Sequence, residues 1–378
     1  MAELNKEEMI QIVEENIKRI EDKDFNVYFY VLDTKGNPSG SLEYIYQTAL
    51  TLQNLGYKVT MLHQDKDFVG VGEWLGEKYS EIPHKFVGTE TEQPDENIQI
   101  SASDFLFIPE IFSHVMSQTK KLPCKRVIIM QNYNHLAEFM PVGITPEMLK
   151  IFDIITTTKV QEGILHSYFP TTVTHVVSPC IQSMFRPNNK PKKLVVNLVT
   201  KSTDDANRII KPFYWKYPIY QWVSFNDLRS MSQETFCESL REGAITIWAD
   251  DKTNFGYSAL EAMRCRSILL AKLPDTLSDW NVETDKEGNE AITDACLWFE
   301  HIDEVPDMLA KIVRSWTLDN IPQSIYDGLE KFDDFYTKEA QEKEIERVYV
   351  KELFEKRISD FKEVLAQLKN NNEEEKAE

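Results

Sequence analysis

Apolar positions along the chain fall into two recurring patterns, short unbroken runs and longer amphipathic stretches. Residues 26–33 are a run rich in β-branched and aromatic side chains, which is typical of a strand buried in a parallel sheet. After a loop, residues 41–55 have helical spacing and stop at Gly56, the glycine expected just past a helix. Residues 58–63 are the next apolar run. Strand, helix and strand in this order predict a βαβ unit with parallel strands.

The same alternation continues over most of the chain and predicts an α/β protein with parallel sheets. Further strands are predicted at residues 104–109, 126–130, 153–158, 174–177, 194–199, 217–225, 244–249 and 267–271. Helices are predicted at residues 7–20, 146–152, 204–214, 232–241, 258–264 and 305–316.

The chain is long enough for two domains, since 378 residues exceed the roughly 250–300 at which one core usually stops growing. Residues 187–192 contain two prolines and no apolar side chain, and we interpret them as a linker. The predicted domains are residues 1–186 and 193–336, each a doubly wound parallel sheet. A long charged helix is predicted at 337–368 and a disordered tail at 369–378. Because such sheets bind ligands at the carboxyl ends of their strands, we expect a site in the cleft between the domains.

The charge and the cysteines narrow the class of protein. With 62 acidic and 42 basic side chains the net charge is −20, which argues against nucleic acid or a broad anionic membrane surface as a partner. No run of about 18 apolar residues predicts a membrane span, and the acidic N-terminus is unlike a signal peptide. Five widely spaced cysteines without a CxxC pair predict free thiols and a cytoplasmic protein. They are Cys124, Cys180, Cys237, Cys265 and Cys296.

Two common nucleotide motifs and the usual metal motifs are missing. There are only 13 glycines, and neither GxGxxG nor GxxxxGK[ST] occurs, so a glycine-rich dinucleotide fingerprint and a P-loop are excluded. The seven histidines have no metal-ligand spacing. We therefore expect neither a metal nor a cofactor.

The stretch Phe255-Gly256-Tyr257-Ser258 has the most specific chemistry. Gly256 allows the backbone to approach a ligand closely. Ser258 is a good residue to cap the following helix, whose free amides and dipole suit an anion such as a diphosphate. Glu261, one turn later, can accept two hydroxyls of a ribose. A plain helix cap explains the same residues equally well.

The stretch from Phe255 to Met263 and several other segments resemble, in order and spacing, a retaining GT-B glycosyltransferase of the group 1 (family 4) kind, above all its donor half. Phe255-Gly256-Tyr257 to Glu261-Ala262-Met263 is similar to the family's Phe-Gly-Leu to Leu-Glu-Ala-Met. Other segments that take part are residues 231–240, 243–249, 178–187 and 39–60. The resemblance implies the GT-B fold, two Rossmann-like domains facing a cleft, with the terminal helix packed back on the first domain. It also implies a nucleoside-diphosphate sugar as the substrate, with no metal.

The resemblance assigns roles in the second domain. Glu261 matches the glutamate that holds the ribose, and Phe255, Gly256, Tyr257 and Ser258 match the loop that meets the donor diphosphate and sugar. The family's other glutamate, which faces the donor sugar, is replaced by Thr253, and Asp250 or Asp251 is a possible substitute. Arg266 stands where the family has a glycine.

Further residues are assigned to the cleft by the same resemblance. Members of the family have a lysine and an arginine that contact the diphosphate. The candidates in this chain are Lys201 and either Arg208 or Lys211, and a cation there would neutralise the charge of the leaving group. An ordinary solvated charge is the alternative for each. Gly40 and Ser41 match the loop that approaches the donor phosphate from the first domain, or are a simple turn and cap.

Gln131, Asn132 and His135 follow a strand on the crevice side of the first domain, where polar groups suit the hydroxyls of an acceptor sugar. A structural role is the alternative for His135, as for most single histidines.

The combined prediction is a cytoplasmic, metal-independent glycosyltransferase that moves a sugar from a nucleoside diphosphate to a saccharide or glycoconjugate acceptor with retention. Thr253 and Arg266 keep open an inactive subunit that binds sugar or supports a partner protein. A nucleotide-sugar epimerase of the same architecture is a third possibility.

Overall fold

The computed structural model describes residues 5–89, 92–94, 98–250, 252–284 and 287–377, and of residues 371–377 it describes the backbone alone.

The first domain is built on a seven-stranded sheet in which every pair of neighbours is parallel, in the order β3-β2-β1-β4-β5-β6-β7. Its strands are β1 (Asn26–Tyr30), β2 (Lys58–His63), β3 (His84–Phe86), β4 (Phe105–Pro109), β5 (Lys125–Met130), β6 (Asp153–Thr156) and β7 (Val173–Val176). Its helices are α1 (Lys6–Glu21), α2 (Gly40–Asn54), α3 (Gly72–Leu75), α4 (Ser113–Gln118), α5 (Tyr133–Phe139) and α6 (Lys159–Tyr168).

Both faces of this sheet are buried, as expected when helices cover a parallel sheet on two sides. Along β1, Val27 and Phe29 pack into one apolar cluster, whereas Tyr28 and Tyr30 pack into the other. Phe29 stacks on Phe107 of β4 with ring centroids 5.0 Å apart. The alternation of strand side chains therefore builds two cores in this domain.

The second domain has a five-stranded parallel sheet in the order β9-β8-β10-β11-β14, and a short antiparallel pair, β12-β13. Its strands are β8 (Lys193–Thr200), β9 (Ser224–Asp227), β10 (Gly243–Ala249), β11 (Ile268–Lys272), β12 (Val282–Thr284), β13 (Glu290–Ile292) and β14 (Leu297–Phe299). Its helices are α7 (Thr203–Lys216), α8 (Gln233–Glu242), α9 (Tyr257–Arg264), α10 (Val305–Thr317) and α11 (Gln323–Glu330). The predicted class, α/β with two doubly wound parallel sheets, is confirmed.

The C-terminal helix returns to the first domain and completes its core. It comprises α12 (Lys338–Ile345), a π-helical segment (Glu346–Glu355) and α13 (Lys356–Ala377). Phe354 lies between Phe25 and Phe105, with centroids 5.1 and 4.6 Å away. The helix continues to Ala377, through most of the residues predicted to form a disordered tail.

Two predicted elements differ in the structure. Residues 217–225 were expected to form a strand, but Pro218–Tyr220 is a 3₁₀ turn and β9 begins only at Ser224. The aromatic side chains that suggested a strand pack on α7 instead, for example Tyr220 on Phe213. The helix expected at 146–152 is only a 3₁₀ turn, Glu147–Leu149, after which Lys150 is left-handed with φ 59°.

Candidate functional site

The carboxyl ends of both sheets open onto one cleft between the domains. In the second sheet β8 lies between β9 and β10, so the chain goes from β8 to β9 on one side and then crosses to β10 on the other side. Ligands of doubly wound folds bind at such a switch point, where the strand order reverses. Lys201 directly follows β8, and Asp250 directly follows β10. The helix starts at Gly40 in α2 and Tyr257 in α9 face the same space from opposite domains.

Two adjoining cavities occupy this region. The larger, which we call the main cleft, has a volume of about 530 Å³. The smaller, which we call the side cavity, has a volume of about 250 Å³. The residues that line both cavities are Pro38, Ser39, Gly40, Val199, Thr200, Tyr257 and Ser258.

Most of the residues selected from the sequence line these two cavities. Those that line the main cleft are Gly40, Ser41, Gln131, Asn132, His135, Lys201, Thr253, Phe255, Gly256, Tyr257 and Ser258. Glu261 lines the side cavity. Arg208 and Lys211 are exposed on α7 and line neither cavity.

The loop before α9 brings the backbone close to the cleft. Gly256 is the N-cap residue and has φ 82°, in the left-handed region that favours glycine. A Cβ at this position would lie 3.1 Å from Trp248 and 3.3 Å from Trp280. The Trp280 indole donates a hydrogen bond of 2.5 Å to the Phe255 carbonyl, which anchors the loop from behind.

The capping of α9 differs from the prediction. Ser258 was expected to be the N-cap, but the helix already begins at Tyr257, and Ser258 is its second residue. The left-handed conformation of Gly256 turns the chain into the helix two residues earlier than an N-cap at Ser258 would have done. No side chain caps this helix, and within the described residues the amides of Tyr257 and Ser258 have no hydrogen-bond acceptor. The next amide, that of Ala259, already donates to the Gly256 carbonyl at 3.1 Å. An anion in the cleft could accept hydrogen bonds from the amides of Tyr257 and Ser258.

Glu261 lies one turn inside α9 and is only 5% exposed. Among the described residues its carboxylate makes no hydrogen bond. Burial raises the pKa of Glu261 well above its usual value, and the nearby carboxylate of Glu43 raises it further. A buried carboxylate that lines a cavity and has no partner is suited to accept hydrogen bonds from the hydroxyls of a ligand.

Asp250 is the centre of a polar group at the switch point. Its buried carboxylate lies 2.8 Å from the ammonium of Lys201 and accepts hydrogen bonds from the Thr253 hydroxyl and, at 3.1 Å, the Lys252 amide. The position of the missing glutamate thus holds a hydroxyl group that orients a neighbouring aspartate. Asp251, the other suggested substitute, lies outside the described residues.

The first-domain wall of the cleft also holds the two domains together. Asn132 donates from Nδ2 to the Lys252 carbonyl at 2.8 Å and accepts from the Asn134 amide, so both of its polar groups already have protein partners. Gln131 donates from Nε2 to the Ser41 carbonyl at 3.0 Å. The Tyr133 amide donates to Asn254 Oδ1 at 2.8 Å, which adds a second contact between the domains.

His135 stands beside an acidic side chain in this wall. Its Nδ1 lies 3.7 Å from Oε1 of Glu110, which is 3% exposed, and this carboxylate raises the pKa of His135 above its usual value. Protonated His135 would therefore present a positive charge at the first-domain wall of the cleft at mildly acidic pH.

Sequence reasoning missed several residues of the side cavity, chiefly Glu43, Gln233 and Arg229. Glu43 follows Gly40 and Ser41 in the first turn of α2, where a carboxylate is expected merely to offset the helix dipole. Its contact with Gln233 joins residues 190 positions apart, and no local pattern signals it. Arg229 is paired with Asp227 at the end of β9.

Two further features, a metal-binding cluster and a membrane-spanning helix, are absent from the described residues. Within the described part of the chain, no three or more His, Cys, Asp or Glu side chains are arranged to hold a metal ion. No helix in that part is long and apolar enough to cross a membrane.

Comparisons with known proteins identify the fold. No protein-family model matches the chain. An alpha-1,6-glucosyltransferase from Actinobacillus pleuropneumoniae serotype 7 is 22% identical over 279 residues, 72% of this chain and 77% of that protein. Sucrose-phosphate synthase from Thermosynechococcus elongatus superposes with a TM-score of 0.59 at 13% identity, over 87% of this chain and 99% of that one. HepE from Anabaena, in complex with UDP-glucose, superposes with a TM-score of 0.58 at 8% identity, over 86% of this chain and 99% of that one. The predicted GT-B fold, and with it the resemblance to GT-B glycosyltransferases, is confirmed.

Proposed function

Because the chain has the GT-B fold of these glycosyltransferases, we propose that it transfers a sugar from a nucleoside-diphosphate sugar to a saccharide or glycoconjugate acceptor. We further propose that the configuration at the anomeric carbon is retained and that no metal is needed. The observation that carries the proposal is the uncapped N-terminus of α9, which faces the main cleft with the unpartnered Glu261 one turn behind it.

The donor is proposed to lie against the second domain. Its diphosphate would accept hydrogen bonds from the first amides of α9, and its ribose would donate to Glu261 in the side cavity. The left-handed Gly256 suits this role because glycine adopts this conformation without strain, and the resulting turn starts α9 at the main cleft.

Lys201 is proposed to stabilise the leaving group. As the bond from the anomeric carbon to the diphosphate breaks, negative charge grows on the phosphate oxygens, and a cation in a cleft closed to water stabilises that charge. Asp250 lies 2.8 Å from the Lys201 ammonium, so it holds the lysine at the switch point and balances its charge before the donor arrives.

The acceptor is proposed to bind on the first-domain side of the cleft, near Gln131, Asn132 and His135. Gln131 keeps its amide oxygen for a sugar hydroxyl, because only its Nε2 is used in the contact with Ser41. For Asn132 an acceptor must compete with the contact to the Lys252 carbonyl, so this residue would take part after the domains move apart.

A ligand screen tests the proposed donor site. Thermal shift with UDP, GDP, TDP and ADP sugars should give a clear rise in melting temperature for one nucleotide. In the Glu261→Ala variant we expect affinity for that nucleotide to fall at least tenfold, because the ribose loses a carboxylate acceptor. Glu234→Ala, an exposed position on α8 that lines neither cavity, is the matched control and should respond like the wild type. An unchanged response of Glu261→Ala would contradict the proposed site.

Chelation tests the proposed metal independence. We expect the transfer rate to be unchanged within twofold after dialysis against EDTA and after addition of Mg²⁺ or Mn²⁺, since Lys201 and the α9 amides supply the positive charge that a metal would otherwise provide. Loss of the rate in EDTA, with recovery on adding back one divalent ion, would contradict it.

An inactive subunit is the second candidate function. Thr253 favours it, because a hydroxyl that is hydrogen-bonded to Asp250 stands where the family's glutamate would present a free carboxylate to the donor sugar. Incubation of the purified protein with the selected donor and a panel of saccharide acceptors separates the two functions. Binding without turnover, with or without a partner protein, would favour the subunit. An altered nucleotide sugar without any acceptor would indicate an epimerase. The cytoplasmic location remains a prediction.

A further inference from the structure

The side cavity has a carboxylate from each domain in its wall. Glu261 comes from α9 of the second domain, and Glu43 comes from the first turn of α2 in the first domain. Each is 5% exposed, and both line the same cavity of about 250 Å³. The sequence motif concerns only the glutamate of the second domain.

Three glutamine amides hold Glu43 in place. Oε1 accepts hydrogen bonds of 2.8 Å from Nε2 of Gln47 and of Gln182, and Oε2 accepts one of 3.0 Å from Nε2 of Gln233. An ionised carboxylate offers about four acceptor sites, so Oε2 can accept one more. Gln233 belongs to the second domain, and this arrangement therefore exists only while the domains are together.

The side cavity contains polar groups that its own walls do not satisfy. Glu261 makes no hydrogen bond within the described residues. Two other residues of the lining, Trp74 and Tyr257, have a buried indole N–H and a buried hydroxyl without a partner there. Burial raises the pKa of Glu43 to about 7. Two buried carboxylates that face one space also repel each other, and the carboxylate of Glu43 adds to the effect of burial in raising the pKa of Glu261. A ligand that donates hydrogen bonds to both carboxylates would remove the unsatisfied acceptor and screen the repulsion.

We propose that Glu43 is a second, cross-domain ligand of the donor nucleoside, and that Glu43 and Glu261 each accept a hydrogen bond from one hydroxyl of a vicinal diol, the ribose. This inference rests on the proposed function, because it concerns the same donor. The nucleoside site is then divided between the domains, so donor binding and domain closure are one event. The second domain alone would hold the ribose through a single carboxylate.

A double-mutant cycle between protein and ligand tests this assignment. Titration calorimetry on the full chain uses whichever of UDP, GDP and ADP binds best, together with its 2′-deoxy and 3′-deoxy analogues. We expect Glu43→Gln to bind the nucleoside diphosphate about tenfold more weakly, or worse, because a charged acceptor becomes a neutral one. Removal of one particular hydroxyl should weaken the wild type by a similar factor but leave the Glu43→Gln variant almost unaffected, and Glu261→Gln should show the same pattern with the other hydroxyl.

A role for Glu43 in holding the domains together would give a different pattern. In that case Glu43→Gln weakens all three ligands equally, both deoxy analogues lose as much affinity in the variant as in the wild type, and the inference is overturned. Glu77→Gln makes the same charge change at an exposed first-domain position outside the side cavity and should match the wild type. If Glu43→Gln does not fold, Glu43→Asp replaces it, since it keeps the charge but withdraws the carboxylate by one methylene. Failure of the wild type to bind any of the nucleotides would contradict the proposed function instead.

Discussion

Replacement of Lys201 by methionine is expected to lower kcat for sugar transfer by about 100- to 1,000-fold, the usual cost of removing a group that stabilises developing charge. The side chain of Lys201 is 66% exposed, and its ammonium pairs with Asp250 at the switch point, where we propose that the diphosphate leaves the sugar. KM for the donor should change much less, because charge on the diphosphate increases as the bond breaks. Steady-state kinetics with saturating acceptor measure both constants.

Lys211→Met is the matched control for this experiment. Lys211 was the second lysine assigned to the diphosphate by resemblance, but it is exposed on α7 and lines neither cavity. Its replacement should leave kcat within about twofold, as for most exposed substitutions. Lys201→Arg should recover part of the rate because it restores the charge. A large drop in Lys211→Met with normal kcat in Lys201→Met would reverse the assignment.

Gly256→Ala is expected to weaken nucleotide binding about 100-fold and also to destabilise the second domain. A non-glycine residue at φ 82° costs about 1–2 kcal/mol. The new Cβ would also lie 3.1 Å from Trp248 and 3.3 Å from Trp280, so the loop must shift away from the tryptophans and toward the ligand. Calorimetric titration with the selected nucleotide and a thermal melt measure the two effects.

Gly56→Ala separates the backbone cost from the effect on the site. Gly56 has φ 88°, but a Cβ there would meet no atom within 4 Å, and it lies outside both cavities. We expect a loss of stability of about 1–2 kcal/mol with nucleotide affinity unchanged. Equal affinities in Gly256→Ala and the wild type would contradict a role of the α9 loop in binding the diphosphate.

The elements of the fold could be predicted well where a local pattern determines them. β2 (Lys58–His63) lies at the predicted residues, and α2 ends just before Gly56, whose φ of 88° is the reason for a glycine there. Residues 217–225 were predicted wrongly because an aromatic-rich run has the same composition whether it forms a strand or packs on a neighbouring helix as a turn. Only the contact with Phe213 of α7 distinguishes the two.

The candidate site likewise contains some residues that a local pattern identifies and others that only the tertiary structure brings together. Gly256 and Glu261 are five residues apart on one loop and helix, so the sequence alone sets their spacing and identifies them together. Lys201 and Asp250 come from two strands, and Thr253 was recognised as a replaced glutamate but not as a hydrogen-bond donor to Asp250. Glu43 and Gln233 meet only because two separately folded sheets face each other.

The sequence by itself determined the two α/β sheets, most of the order of strands and helices along the chain and the glycine turn before α9, because hydrophobic period and glycine conformation act over a few residues. The tertiary structure alone decided which lysine reaches the cleft, which aspartate it pairs with and that a first-domain glutamate shares a cavity with Glu261. Contacts between distant segments depend on the strand order of the sheets and on how the two domains pack together. The energies of these contacts do not produce a periodic pattern in the sequence.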